Sequence, residues 1–237
     1  MADRWVDVSA NQRPHEMRWA AWAATFARGQ YRLTIGRNFD TAWQAHRAGM
    51  RAAGMLTGSY SVPWEGNDQV GDCLRWIDAI PPDDENDDWV DAERALLTEA
   101  ELDEYCATYD RYGRGRLAIY TGEPWWLAHV PPARRERYAD YKLIIAAYPF
   151  DARAGQPVPM DPVSVALRST PPHNRRPPIP APWTVEEGWQ HTGQGSLPGY
   201  AGRLDMGIYR ANPGPLPPDD SAARVADYAR AILAEVA

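Results

Sequence analysis

The sequence predicts an α/β fold in which strands and helices alternate along one domain, at a length that favours a closed β/α (TIM-like) barrel over an open sheet. Three observations carry this expectation. Apolar strand patterns alternate with helical ones about five times, and the run Leu143 to Tyr148 is almost continuously apolar, as in a strand covered on both faces. The 237 residues also match the roughly 200–250 of a single barrel. Such alternation predicts parallel strands joined by right-handed crossovers, and periodicity alone does not separate barrel from open sheet.

Trp5 to Ser9 reads as a short first strand. Trp19, Trp22, Ala23 and Phe26 then share a helix face ahead of a strand from Tyr31 to Ile35. A helix from about Thr41 to Ala53 ends at Gly54, a suitable C-terminal cap, and Met55 to Val62 follows as a strand. Val70, Cys73, Leu74 and Ile77 mark a third helix, and Trp89 to Glu93 the next strand, reached through an acidic loop. Leu102, Tyr105, Cys106 and Tyr109 line a fourth helix, with strands at Arg116 to Thr121 and Leu143 to Tyr148 beyond it.

From Pro149 to Trp183 the alternation stops. Pro171, Pro172, Pro177, Pro178, Pro180 and Pro182 fit neither a helix nor a central strand. Residues 150–182 therefore read as an insertion over one face, with a short strand near Val163 to Leu167. Strands around Val185 to His191 and Arg203 to Tyr209 complete a domain spanning 1–210. Residues 211–237 form a proline-rich linker and a final helix, whose stripe of Val225, Tyr228, Ala229, Ile232, Leu233 and Val236 is expected to dock on the barrel.

A net charge of −7 argues against nucleic acid as the main partner. The short basic run Arg134, Arg135 and Arg137 is explained by a solvated helix face. No segment nears the roughly 18 apolar residues needed to span a bilayer, and the N-terminus carries no apolar signal region. Cys73 and Cys106, at inward positions of helical patterns, are expected as buried free thiols. The 11 Trp and 12 Tyr against 3 Phe suit either a half-wet sugar cleft or plain core packing.

Several chemistries are excluded. His15 and Glu16 begin like a zinc-protease helix, but Trp19 stands where the second His belongs, and no C-x-x-C pair exists. Counted from Asp83, an EF-hand would need Gly at Asp88 and a carboxylate at Arg94, so the acidic run reads as a solvated loop. What remains is a set of acids at strand ends. Asp7 closes a strand pattern, and Asp91 and Glu93, two apart, share one face with Trp89. Two carboxylates held this close raise the pKa of one of them, the division that glycoside hydrolysis requires.

Read together, the motifs resemble glycoside hydrolase family 25, the Chalaropsis-type lysozymes. Asp7-Val8-Ser9-Ala10-Asn11-Gln12 is similar to that family's opening D-V-S-x-x-Q, and Ala52-Ala53-Gly54-Met55 with Gly58-Ser59-Tyr60 to its A-G-L and G-x-Y. Asp91-Ala92-Glu93 matches its D-x-E, Ile119-Tyr120-Thr121 with Trp125-Trp126 its I-Y-T and tryptophan, and Ala147-Tyr148 a strand end. Trp189-Gln190-His191-Thr192, Leu197-Pro198-Gly199-Tyr200 and Gly202-Arg203-Leu204-Asp205 resemble its closing W-Q-Y-T, V-P-G-I and G-x-V-D.

The resemblance covers about residues 4–209. It implies an irregular barrel of eight strands and about five helices, cleaving the β-1,4 bond between N-acetylmuramic acid and N-acetylglucosamine of peptidoglycan. Carried over by position, Glu93 would be the general acid and Asp91 the assisting carboxylate, with Asp7 and Asp205 completing the cluster. Tyr60, Tyr120, Trp126, Tyr148 and Trp189 would line sugar subsites, and no metal or organic cofactor is implied.

Three departures bear on the subsites: Gly207 stands where the family often has Asn, His191 replaces a Tyr, and the loop after Ile35 is short. Without an N-terminal signal region, the protein is expected to be made in the cytoplasm and to reach the wall through a holin or on a virion. The alternative is a non-catalytic carbohydrate-binding or structural virion protein on the same barrel. A family 18 chitinase is excluded because Trp89 occupies a position where its D-x-x-D-x-D-x-E strand needs Asp.

Overall fold

A computed structural model describes residues 3–148, 177–195, 197, 200 and 202–209. The strands are β1 (Asp3–Val8), β2 (Arg28–Ile35), β3 (Asn38–Phe39), β4 (Leu56–Val62), β5 (Asp88–Asp91), β6 (Leu117–Gly122), β7 (Lys142–Ala146), β8 (Gly188–Gly195) and β9 (Leu204–Tyr209). They form one sheet in the order β1-β9-β8-β7-β6-β5-β4-β2-β3, and a further β1–β2 pairing closes it. Eight strands make the barrel, while the two-residue β3 only folds back on β2. Six α-helices among the described residues surround it: α1 (Trp19–Trp22), α2 (Trp43–Ala52), α3 (Gln69–Ala79), α4 (Glu99–Tyr112), α5 (Glu123–His129) and α6 (Pro132–Arg135).

The all-parallel expectation needs one correction. β1, β2 and β4 to β8 run parallel, but β9 is antiparallel to both of its neighbours. A strand entered from the mouth end rather than through a crossover helix has to run that way. The insertion up to residue 176, the strand near 163–167 and the C-terminal helix with its linker lie outside the described residues.

Alternation along the strands sorts the core into two shells. Trp5, Trp89, Ala118, Tyr120, Ile144, Ala146 and Tyr209 fill the barrel interior, while Val6, Val8, Val90, Ile119, Leu143 and Ile145 face the helices. The helix ends follow local chemistry. Gly54 adopts φ +77° just past α2, the Asp68 side chain caps α3 through the Gly71 N–H, and Thr98 and Glu101 form a capping box on α4. α1 is a single turn, shorter than the face Trp19 to Phe26 predicts. α3 buries Gln69, Asp72, Cys73 and Trp76, so Val70 turns outward instead. Cys73 and Cys106 are buried free thiols.

The acidic run is not solvated. Asp84, Asp87 and Asp88 are buried beneath the closed end of the barrel, each with a cation: Arg47 at 2.9 Å, Lys142 at 2.9 Å and Arg114 at 2.6 Å respectively. Tyr31 and Tyr109 donate to Asp84 and Asp88. Only the alternate residues Asp83 and Glu85 face solvent. The basic run, by contrast, lies on the surface, with Arg134 and Arg137 reaching Glu99 and Asp103 of α4.

Arg114→Met would leave Asp88 as a buried charge without its cation, a change expected to remove about 3–5 kcal/mol of stability in urea unfolding followed by Trp fluorescence. Arg137→Ala, which breaks an exposed pair, is expected to change it by less than about 0.5 kcal/mol.

Candidate active site

Seven side chains converge at the open end of the barrel around a cavity of about 120 Å³: Asp7, Tyr60, Trp89, Asp91, Tyr120, Gln190 and Asp205. Each comes from the inward face of a different position on β1, β4, β5, β6, β8 or β9. Asp7 is the next-to-last residue of β1 and Asp91 the last of β5, so both stand at C-terminal strand ends. Asp205 reaches the same level from the second residue of β9, because that strand is antiparallel, and it pairs directly with Asp7 across the ladder.

Glu93 lies beyond the end of β5 rather than on it, since the strand stops at Asp91. The Ala92 N–H still bonds to the Tyr120 carbonyl, which keeps the alternation going for one more residue. This turns Glu93 into an adjoining cleft of about 560 Å³, also lined by Gly122, Glu123, Trp125, Ala146 and Tyr148. A cleft of that size is in the range of small-molecule sites, roughly 300–1,000 Å³. The 120 Å³ recess beside it is smaller and lined by polar groups.

The electrostatics follow from this packing. Three carboxyl groups line the recess and, among the described residues, no cation does. Burial, then the facing Asp205, pushes Asp7 well above the ordinary carboxylate range, against the pull of a hydrogen bond from Gln190. Asp91 is raised in the same way, by burial and then by Glu93, while Arg32 offsets part of this. Asp205 is raised by burial to about 6. Glu93 is open to solvent on its cleft side but hemmed in by protein on the others. That desolvation, reinforced by Asp205, raises it to about 7, while bonds from Tyr120 and the Gly122 backbone pull the other way.

Gln190 ties the cluster together. Its Nε2 donates to Asp7 Oδ2 at 2.9 Å, and its Oε1 accepts from both the Tyr120 and Tyr148 hydroxyls. The two tyrosine oxygens are 3.2 Å apart.

The structure thus brings together Asp7, Asp91, Glu93, Asp205, Tyr60, Tyr120 and Tyr148. The two tryptophans expected at the subsites lie elsewhere. Trp126 is fully buried against Tyr138 and Trp183, with its indole N–H on the Ala181 carbonyl. Trp189 sits on the outward face of β8 in the shell beneath the helices, donating to the Ala147 carbonyl. Their places at the site are taken by Trp125 in the cleft and Trp89 under the recess. Period-two reading of Trp189-Gln190 would have put Gln190, not Trp189, on the face shared by the acids. The choice between Trp125 and Trp126 depends on how α5 is seated, which spacing does not convey. Among the described residues, no three His, Cys, Asp or Glu side chains converge as a metal site.

The fold is that of lysozymes built as irregular β/α barrels. No family model matches the chain, and no curated protein matches it in sequence. Among solved structures it is similar to a bacterial lysozyme from Streptomyces coelicolor, with a TM-score of 0.67 at 15% identity over 90% of this chain and 94% of that one. A muramidase from Trichobolus zukalii gives 0.64 at 17% over 90% and 95%, and a family GH25 lysozyme from Aspergillus fumigatus 0.62 at 16% over 95% and 98%.

Because folding raises Asp205 from 3.8 to about 6, the folded state binds that proton more tightly, and stability declines as pH rises through this window. Asp205→Asn is therefore expected to raise the Tm by about 2–4 °C at pH 7.5 and to leave it unchanged below pH 4, as read by calorimetry.

Proposed function

We propose that the chain is a peptidoglycan hydrolase, a muramidase that cleaves the β-1,4 bond between N-acetylmuramic acid and N-acetylglucosamine. The observation that carries this reading is Glu93, its carboxyl raised to about 7 at the wall of a cleft, beside a recess lined by three further acids. Glycoside hydrolysis needs this division, with an acid for the leaving oxygen and negative charge opposite the sugar carbon that becomes positive. The fold shared with the lysozymes and muramidases above supports the choice of substrate.

In this reading Glu93 donates its proton to the glycosidic oxygen. Its value of about 7 places the acid form in the majority at mildly acidic pH and keeps the proton transferable. Asp91, a short step deeper in the recess, orients the acetamido group or stabilises the oxocarbenium-like state. Asp7 and Asp205 complete the acidic cluster, so the developing positive charge is met by prepositioned carboxyl groups instead of reorganising water. Tyr60, Tyr120 and Tyr148 present hydroxyls and ring faces to the sugar. Among the described residues the cleft is open, which favours catalysis over a purely structural role. Delivery to the wall through a holin or on a virion belongs to the same proposal.

Purified peptidoglycan incubated with the protein is expected to release muropeptides with new reducing N-acetylmuramic acid ends. Glu93→Gln is expected to lower that rate by about 10³-fold, and wild-type kcat/KM to fall as pH rises through about 7, where Glu93 loses its proton. A wild type that releases nothing from walls of several chemotypes would refute the reading.

A further inference from the structure

Among the described residues the exposed aromatic side chains are Phe39, Trp64 and Tyr148. All three stand at the mouth of the barrel. Phe39 lies on the short β3 that folds back from the end of β2, Trp64 is two residues past β4, and Tyr148 is two residues past β7. Tyr148 already lines the Glu93 cleft. Trp64 lies on the other side of Glu93, because the strand order runs β7-β6-β5-β4. Tyr60 pairs with Trp89 and Ser61 with Val90, so the same register, carried past the strand ends, sets Trp64 level with Glu93 and one strand over. Period two also places Trp64 on the face of Tyr60, which lines the recess.

Trp64 is exposed but not loose. Its carbonyl accepts from the Asn67 N–H at 3.2 Å and from Gln69 Nε2 at 2.8 Å. A Cβ on Gly36 would fall 2.9 Å from the Trp64 Cβ, so the β2–β3 turn is packed against the root of the side chain. The Arg94 guanidinium lies over the ring, 3.4 Å from its centroid, and Glu65 fixes it with a two-pronged pair at 2.6 and 2.8 Å. Even so capped, Trp64 keeps 38% of its surface exposed, so its open side is the one turned away from the arginine. Arg94 also ties this group to the cleft. It follows Glu93 in the chain, and its carbonyl accepts the indole N–H of Trp125, a cleft residue, at 2.7 Å.

We propose, resting on the muramidase reading above, that Trp64, held by Arg94 and Glu65, is the stacking platform for a sugar ring of the glycan strand beyond the pair that flanks the cleaved bond. The strand then crosses the mouth from the Tyr148 side, over Glu93, to Trp64. A flat apolar face edged by a guanidinium and a carboxylate suits a pyranose, which is apolar on its face and polar around its rim. A protein partner would call for an interface core depleted of charge, which a single ring bordered by Arg94 and Glu65 does not offer. Because the ring is fixed beforehand, binding does not have to order it. Trp64 is a specificity residue in this scheme: it favours long strands over short ones and leaves the bond-breaking step alone.

The test is calorimetric binding of two probes, the N-acetylglucosamine–N-acetylmuramic acid disaccharide and long peptide-free glycan strands. Both are titrated into Glu93→Gln, which prevents turnover, and into Glu93→Gln carrying Trp64→Ala or Trp64→Tyr. Trp64→Ala is expected to weaken long-strand binding about five- to tenfold, the size of one aromatic stack, and to leave disaccharide binding within about twofold. Trp64→Tyr keeps a ring and is expected to recover most of the loss. With Glu93 intact, Trp64→Ala should raise KM for long strands by a similar factor and hold kcat within about twofold.

Long-strand affinity unchanged in Trp64→Ala, an equal loss for the disaccharide, or no recovery in Trp64→Tyr would overturn the inference. So would a loss seen only with strands that carry stem peptides, which would make the peptide the occupant, or a Glu93→Gln protein that binds no glycan. If Trp64→Ala does not fold, the Trp64 indole N–H resonance, assigned by its absence from Trp64→Tyr, must shift with long strands and stay in place with the disaccharide, and any other result refutes the platform. Because binding needs no turnover, a wild type that cleaves no wall yet binds glycan through Trp64 defeats the functional reading alone.

Discussion

The ladder that seats β9 between β1 and β8 closes the barrel and, with the same hydrogen bonds, creates its chemistry. A sheet of parallel strands presents only C-terminal strand ends at its mouth. Inserting one antiparallel strand brings a residue from a strand's beginning to that level, and here the residue is Asp205, set directly against Asp7. Like charges directly opposite on a ladder are unfavourable, so this register persists only because the rest of the barrel over-determines it. The upward push of Asp205 on the Asp7 carboxyl follows from that enforced proximity.

The two ends of the barrel treat the same residue type in opposite ways. At the closed end each buried Asp has its own Arg or Lys, together with a tyrosine donor at Asp84 and Asp88. At the mouth, Asp7, Asp91 and Asp205 share a recess with tyrosines, a tryptophan and one amide, and no cation among the described residues lines it. Carboxylates compensated by cations brace a structure, whereas carboxylates left to one another become raised, titratable groups. The charge pattern therefore separates the structural end from the chemical end without reference to any motif.

Between the ends, the interior is a column of large aromatics that requires very small neighbours. Gly207 is the clearest case. A Cβ there would fall 2.1 Å from the Trp5 ring, so the indole occupies the space that a side chain at 207 would need. The departure from Asn at this position and the presence of Trp5 are thus one adjustment, made on paired residues of β1 and β9. Trp5 in turn meets Trp89 edge-on at 4.7 Å, and Trp89 stacks with Tyr120 beneath the recess. The floor of the site is rigid because it is the top of the packed core.

The order of strands and helices, the acids Asp7, Asp91, Glu93 and Asp205, and the three tyrosines were legible in the sequence, because hydrophobic period and motif order are local properties of a chain. The direction of β9, the neutralisation of Asp84, Asp87 and Asp88, the outward turn of Trp126 and Trp189, and the place of Gln190 between Asp7 and two tyrosine hydroxyls were not. Each depends on a partner distant in the chain, as Arg114 is from Asp88 and Asp7 from Gln190. The sequence by itself determined an alternating α/β chain with acids at strand ends. Tertiary structure alone decided which acids pair with cations and which gather at the mouth, because ionisation and hydrogen bonding are settled by neighbours in space.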